Sequence, residues 1–324
     1  KIFEPVLKII ACILQRVALL QVREAISSGA AATEVLQTAL LGLQASCIYC
    51  SLCSTCGAKK MVVEEVSVAV VQCLKQCIGQ FVKPFLNPHD PVERAKKTPT
   101  GSTLEALPYG PEHITKLCTA VSDVLVGLHE FISRHHLADT QLHQTVHMTV
   151  GFFFLPEPQF RLCSAAEEVL VTIFCRHQGL LSSVLQDFLV LVPHLPCGRH
   201  ARKFRLPVGD GHPDYGLSTW THLLLRLVQC TCLPLQETLG TEVDFGTVQK
   251  ARGAAQAVLI QLTSGMMQRL LLTRARDDEL RAVLDEHIDE LLGAAYKPMW
   301  PGALAMLRNY AVQLIGILMP EKKK

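Results

Sequence analysis

Four cysteines stand at successive intervals of three, in Cys47-Ile-Tyr-Cys50-Ser-Leu-Cys53-Ser-Thr-Cys56. Thiolates are soft ligands, and such a run could hold zinc or an iron–sulfur cluster. The spacing argues against both. Bacterial cluster-binding runs have a longer last gap followed by proline. Here the last gap equals the others, and Gly57 follows. Structural zinc takes ligands from two short segments separated by a longer insert, because one short stretch wraps a tetrahedron poorly. On a helix, each step of three residues falls about 60° short of a full turn, so the four thiols would drift around the axis. The alternative is a row of small side chains at a close helix–helix contact. Cys73 and Cys77, four apart, would join such a metal site or belong to the core.

His143 and His147 share one helical face. A zincin needs glutamate directly after the first histidine as general base, and this sequence has Gln144 there. His135-His136 reads as a helix end, where a polar or cationic side chain suits the C-terminal dipole. The concentrated basic stretch is Cys197-Gly-Arg199-His-Ala-Arg202-Lys203-Phe204-Arg205. Its functional reading is a contact for phosphate, nucleic acid or an acidic partner, with Phe204 stacking on a base. Its bland reading is a solvated loop. Segment 196–216 carries four basic and two acidic residues, net +2, whereas 111–195 carries four basic and eight acidic, net −4. A phosphate-binding GxxxxGK[ST] run is absent, Gly209-Asp-Gly211 reads as a turn, and no GxSxG elbow exists. No catalytic residue or cofactor is expected.

The elements that position these residues are helical. The 324 residues are 49% hydrophobic and 19% charged, with net charge +2; mean hydropathy is +0.26. Such values exclude a disordered chain and give no global field for nucleic acid. Val6, Ile9, Ile10, Ile13, Leu14 and Val17 recur at spacings of three and four, and Gly29 is expected to end that helix. Further helices are read at about 31–54, 61–85, 112–136, 139–154, 161–176, 180–192, 217–233, 247–273, 277–295 and 301–319. On the helix at 277–295, Leu280, Val283, Leu284, His287, Ile288, Leu291 and Leu292 form the expected buried stripe. Asp285, Glu286, Asp289 and Glu290 are expected to face solvent. No convincing run of alternating strands appears.

The expected organisation is helical repeats at 1–86, a Pro- and Lys-containing linker at 87–111, repeats at 112–195, the basic loop at 196–216, repeats at 217–319 and a tail at 320–324. Residues 35–58 carry no formal charge, but seven Ser, Thr and Gln residues and missing aromatic belts speak against a membrane span. Thirteen cysteines, an odd number mostly inside apolar helical patterns, point to a reducing compartment, nuclear or cytoplasmic. No secretory signal opens the sequence at Lys1-Ile2-Phe3-Glu4, and a first residue other than Met suggests part of a longer protein.

Leu/Val/Ala/Cys-rich helices such as Val35–Ala58 followed by Met61–Phe85, with polar loops between, resemble the irregular HEAT and armadillo repeats of large scaffolds. The resemblance covers most of the chain. It implies a right-handed superhelix of about eleven antiparallel helices, and a protein-interaction scaffold rather than an enzyme. Partners would be other proteins of a multi-subunit complex. A nucleic-acid-associated scaffold using Arg199, Arg202, Lys203, Phe204 and Arg205 is the first alternative. A metal protein built on Cys47, Cys50, Cys53 and Cys56 is the second.

Overall fold

The computed structural model describes residues 3–18, 29–56, 62–86, 111–155, 159–192, 195, 203–205, 216–230, 245–272 and 278–318. Among them are eleven helices and one short hairpin. The chain divides into two compact units, residues 1–172 and 173–324. The expected linker lies outside the described residues except for Pro111, and so does the tail at 320–324.

The first unit contains α1 (Phe3–Ala18), α2 (Gly29–Cys56), α3 (Glu64–Cys77), α4 (Pro111–Arg134) and α5 (Asp139–Val150). Helix α3 runs on through a π-helical turn at Ile78–Val82 into Lys83–Leu86, and α5 closes in a 3-10 turn at Gly151–Phe154. The division between units falls within α6 (Phe160–Arg176). Periodicity decides what is buried. Ile10, Leu14 and Val17 are the buried side of α1. Val66, Val70, Leu74, Ile78 and Phe81 are buried along α3 and its π turn, as their spacing predicts. Gly29 does not end α1; it opens α2, where Ala30, Ala31 and Ala32 carry the helix forward with little entropic cost.

Helix α2 is the hub of this unit. It packs on α1, α3 and α4, most extensively on α4. Residues 34–56 are long and apolar enough to cross a membrane by length and composition, and half of that stretch is buried inside the protein. Glycines permit the close approaches. A Cβ on Gly42 would stand 2.4 Å from Val17 Cγ2 of α1 and 3.0 Å from Cys73 Sγ of α3. A Cβ on Gly127 of α4 would stand 3.1 Å from Cys50 Cβ of α2. Buried Tyr49 of α2 secures the start of α3: its hydroxyl accepts the Val63 N–H at 3.1 Å and lies 3.0 Å from Ser67 Oγ. Val63 offers no side-chain cap of its own, so a residue of the neighbouring helix supplies the missing partner.

The second unit contains α7 (Leu181–Leu191), α8 (Thr219–Cys230), α9 (Phe245–Leu272), α10 (Asp278–Ala295) and α11 (Pro301–Leu318). Helix α11 packs on α8, α9 and α10, and α9 also packs on α7. Two strands, β1 (Lys203–Arg205) and β2 (Gly216–Ser218), pair antiparallel, with Phe204 opposite Leu217. They correct the expectation of an irregular loop throughout 196–216. Leu217 and Ser218 of β2 are both buried, whereas Lys203 of β1 is exposed and Phe204 half-buried.

Gly42→Val tests the three-helix contact. Overpacking there should cost about 1–3 kcal/mol. The measurement is the midpoint shift in urea unfolding at unchanged slope. A midpoint equal to that of the parent would mean that α1 withdraws without penalty.

Candidate functional site

The four clustered thiols spread around α2. Cys50 and Cys53 are buried, Cys47 is half-buried and Cys56 is exposed. The Cys47 thiol reaches the Asp123 carbonyl of α4 at 3.9 Å, and Cys50 sits under Gly127. Burial pushes the Cys47, Cys50 and Cys53 thiols up, and the Asp123 carboxylate raises Cys47 further. That is the opposite of the electropositive setting that favours thiolates. Cys73 and Cys77 are both buried on α3. Among the described residues, no three His, Cys, Asp or Glu side chains converge in a way that could hold a metal ion.

His143 and His147 are both exposed on α5. Gln144 between them accepts a hydrogen bond from the Gln72 amide of α3 at 3.1 Å. His135 and Arg134 end α4 and serve its neighbour rather than α4 itself. His135 Nε2 lies 3.0 Å from the Cys53 carbonyl, and Arg134 donates to the Ser54 carbonyl. These carbonyls belong to the last described turn of α2.

Arg199 and Arg202 lie outside the described residues. Lys203 does not stand free in solvent: its ammonium pairs with Glu286 at 3.1 Å and Glu290 at 3.2 Å. Burial lowers the Lys203 pKa, the two carboxylates raise it, and the net direction is up. The Phe204 ring packs against His222 at 5.1 Å, and His222 meets Trp300 edge-on at 4.9 Å. Arg205 completes the strand, opposite Gly216. Of this segment, Lys203 and Phe204 are therefore engaged with their own fold.

Periodicity misplaced two carboxylates: Glu286, expected in solvent, keeps only 15% of its side chain exposed, and Glu290 is the deeper of the two. Glu290, expected in solvent, is 3% exposed, whereas Leu292, expected in the core, is 48% exposed. The buried side of α10 runs through Val283, His287, Glu290, Leu291 and Ala294. Ser218, at the junction of β2 and α8, explains the rotation. Its backbone N–H donates to Glu290 Oε1 at 2.9 Å and its hydroxyl donates to Oε2 at 2.6 Å. Ser218 Oγ also accepts the Thr221 N–H at 3.4 Å, as a helix N-cap does. Thr221 Oγ1 stands 2.9 Å from Ser218 Oγ and 3.0 Å from His287 Nδ1. The positive end of α8, a hydroxyl, a backbone N–H and Lys203 together compensate one buried charge.

This chain of Ser, Glu, Thr and His is not a nucleophile with its base. The serine proton goes to the carboxylate, and the imidazole bonds threonine. Ser218, Thr221, His287 and Glu290 are all at most 3% exposed, which leaves no approach for a substrate. His287 packs between the Trp220 ring at 4.8 Å and the Tyr310 ring at 5.9 Å, and burial pulls its pKa down to about 3. It is neutral in the folded protein at any ordinary pH. Sequence reasoning missed this network because a stripe of leucines dominates the pattern of α10. The available signal was His287 followed three residues later by Glu290, which places two polar groups on one face.

Eleven packed helices with one small hairpin among the described residues define an all-α protein of the HEAT-like helical-repeat class. Its relatives are specific. The chain is similar to the Nipped-B-like protein of Mus musculus, 25% identical over 274 residues, covering 77% of this chain and 9% of that protein. It is 24% identical to the Nipped-B-like protein of Homo sapiens over 269 residues, with the same two coverages. Among solved structures it matches the C-terminal fragment of the Chaetomium thermophilum cohesin loader SCC2, with a TM-score of 0.70 and 18% identity. That match covers 98% of this chain and 25% of the loader fragment. No family model matches the sequence. The chain thus spans 9% of the length of these two curated relatives, and the likeness to the loader establishes the fold.

The buried network can be tested at two of its members. Glu290→Ala should cost about 1–3 kcal/mol, because the buried Ser218 N–H and hydroxyl lose their acceptor while Lys203 keeps Glu286. The reading is the denaturant midpoint of the second unit, and a loss under about 1 kcal/mol would mean that water replaces the carboxylate at about equal strength. The unfolded chain protonates His287 below about pH 6.5, whereas the folded chain resists until about 3. The unfolded state therefore binds more protons between those values, and stability should fall as pH drops, by up to about 1.4 kcal/mol per unit. In His287→Asn the decline between about pH 6.5 and 4.5 should be shallower; an identical slope in parent and variant would assign the effect elsewhere.

Proposed function

We propose that this chain is a non-enzymatic scaffold segment that binds other proteins of a multi-subunit complex, with cohesin subunits as the partners. The observation that carries the proposal is the fold match to a cohesin loader over 98% of the chain. The sequence similarity to Nipped-B-like proteins over 77% of the chain supports the same reading. The physical mechanism is complementarity of helix faces. Such a scaffold presents rigid, packed helices, so a partner meets a surface whose side chains are already ordered.

Three features of the site favour binding over catalysis. The buried Ser218–Glu290–Thr221–His287 chain has no open side, Cys47 and Cys50 of the cysteine run meet α4, and the exposed histidines of α5 have Gln144 where a zincin has its glutamate. Exposed apolar residues are available for contact: Leu304, Val312 and Ile315 on α11 are each at least 58% exposed. All eleven described cysteines are thiols, which supports an intracellular, nuclear or cytoplasmic setting. A nucleic-acid role for the basic segment gains nothing from Lys203 and Phe204, which are engaged within the second unit.

The test is affinity purification of the intact parent protein from its own cells, followed by quantification of cohesin subunits. Stoichiometric recovery that survives nuclease treatment is expected. Recovery of the chain with none of those subunits would overturn the proposal, and recovery lost on nuclease treatment would turn it toward nucleic acid.

A further inference from the structure

We propose that His143 and His147 of α5 chelate one divalent transition-metal ion of the zinc kind, with the Asp139 carboxylate orienting the His143 ring. The site goes beyond the scaffold reading and would stand without it. All three side chains are exposed, at successive intervals of four along one helix. Residues four apart on a helix are separated by about 6 Å along the axis and about 40° around it, so their side chains lie one above the other. This is the placement by which a helix gives two histidines to one zinc ion. With zinc–nitrogen bonds of about 2.0–2.1 Å, closing the chelate needs a choice of rotamers and no movement of the backbone.

The two rings are free to turn toward an ion. Elsewhere among the described residues, His129 is held by Thr172, His135 meets the Cys53 carbonyl, His222 packs on Trp300 and His287 bonds Thr221. His143, His147 and Asp139 have no such engagement with the described residues. The frame beneath them is fixed. Leu142, Thr145, Val146 and Thr149 are buried around them on α5, and the Gln72 amide of α3 donates to Gln144 at 3.1 Å. A ligand pair on a packed helix keeps its spacing, so little backbone ordering is needed on binding.

Donor chemistry selects the ion. Imidazole nitrogen suits zinc, nickel and copper, whereas magnesium and calcium take oxygen ligands. A metal-bound histidine gives its second ring N–H to a carboxylate, which fixes the tautomer and the ring plane. Asp139, one turn before His143, is placed to accept it, and its charge offsets part of the ion's. Among the described residues no third ligand joins the pair. Water therefore completes the tetrahedron, and the ion is held more weakly than in a closed four-ligand site. The site binds without hydrolysing, because Gln144 stands where a general base would and is bonded to Gln72.

The probe is zinc chloride, added to the whole chain carrying isotope-labelled histidine. Nuclear magnetic resonance should show two histidine ring signals moving together and saturating at one equivalent of zinc. One of those signals should be missing from His143→Gln and the other from His147→Gln, and each variant should bind zinc at least about tenfold more weakly. Asp139→Asn should weaken binding by about tenfold, the lower end for a carboxylate behind a metal-bound histidine. Cys12 and Cys56 are the exposed thiols among the described residues, and replacing both by serine should leave the two signals and their midpoint unchanged. Acid should release the ion, because protons compete for the imidazole nitrogens. All the substituted residues are exposed, and circular dichroism checks that each variant is folded. Ring signals that stay still as zinc is added would overturn the proposal, as would parental affinity in either histidine variant or indifference to Asp139→Asn.

Discussion

A helix that is apolar on most of its circumference has to be covered on more than one side. That constraint organises the first unit around α2, whose 28 residues meet α1, α3 and α4. Covering a helix from three directions brings backbones close, and close backbones need small side chains. Gly42 accommodates Val17 and Cys73, Gly127 accommodates Cys50, and the thiols of α2 occupy the positions between. Cysteine is suited to this work because it is compact, polarizable and only weakly polar. The three-residue spacing that resembles a metal motif carries the thiols around α2, from Cys50 and Cys53 in its buried side to Cys56 at the surface.

The second unit carries a different constraint, a buried charge. A carboxylate taken from water loses several kcal/mol of hydration, and ion pairing alone rarely restores it. Glu290 is compensated by four kinds of partner at once: a backbone N–H, a hydroxyl, an ammonium and the positive end of α8. Each partner arrives from the elements around it, so the carboxylate joins β1, β2, α8 and α10. The hairpin thereby gains an anchor that two three-residue strands could not provide for themselves. The basic segment, read alone, looks like a contact for something outside the protein; its Lys203 is instead the counter-ion of Glu286 and Glu290.

The functional reading follows from how these solutions distribute polarity. Several side chains that could react sit where reactivity is suppressed. Burial raises the Cys50 and Cys53 thiols, keeps His287 neutral and closes the Ser218 network to solvent. What remains outside among the described residues includes scattered apolar side chains such as Leu304, Val312 and Ile315. Such a surface is what the scaffold reading proposed above requires. Recognition of this kind asks for rigidity, which dense helix packing supplies.

Helix number, helix type and most buried faces were legible in the sequence. A spacing of three and four in Val66, Val70, Leu74, Ile78 and Phe81 can be satisfied only by a helix with one covered side. The all-α class and the resemblance to helical repeats followed from eleven such patterns in succession. Three things were not legible. Gly29 serves equally as a helix end or a helix start, and only the neighbouring chain decides. The short hairpin has too few residues to display a period of two. On α10, the leucines dominate the pattern, so Glu290 reads as a solvent residue until its partners are known. Amino-acid order determines local periodicity, because that depends on residues a few positions apart. The burial of a charge depends on Ser218, 72 residues away, and on Lys203, farther still, so only the tertiary structure decides it.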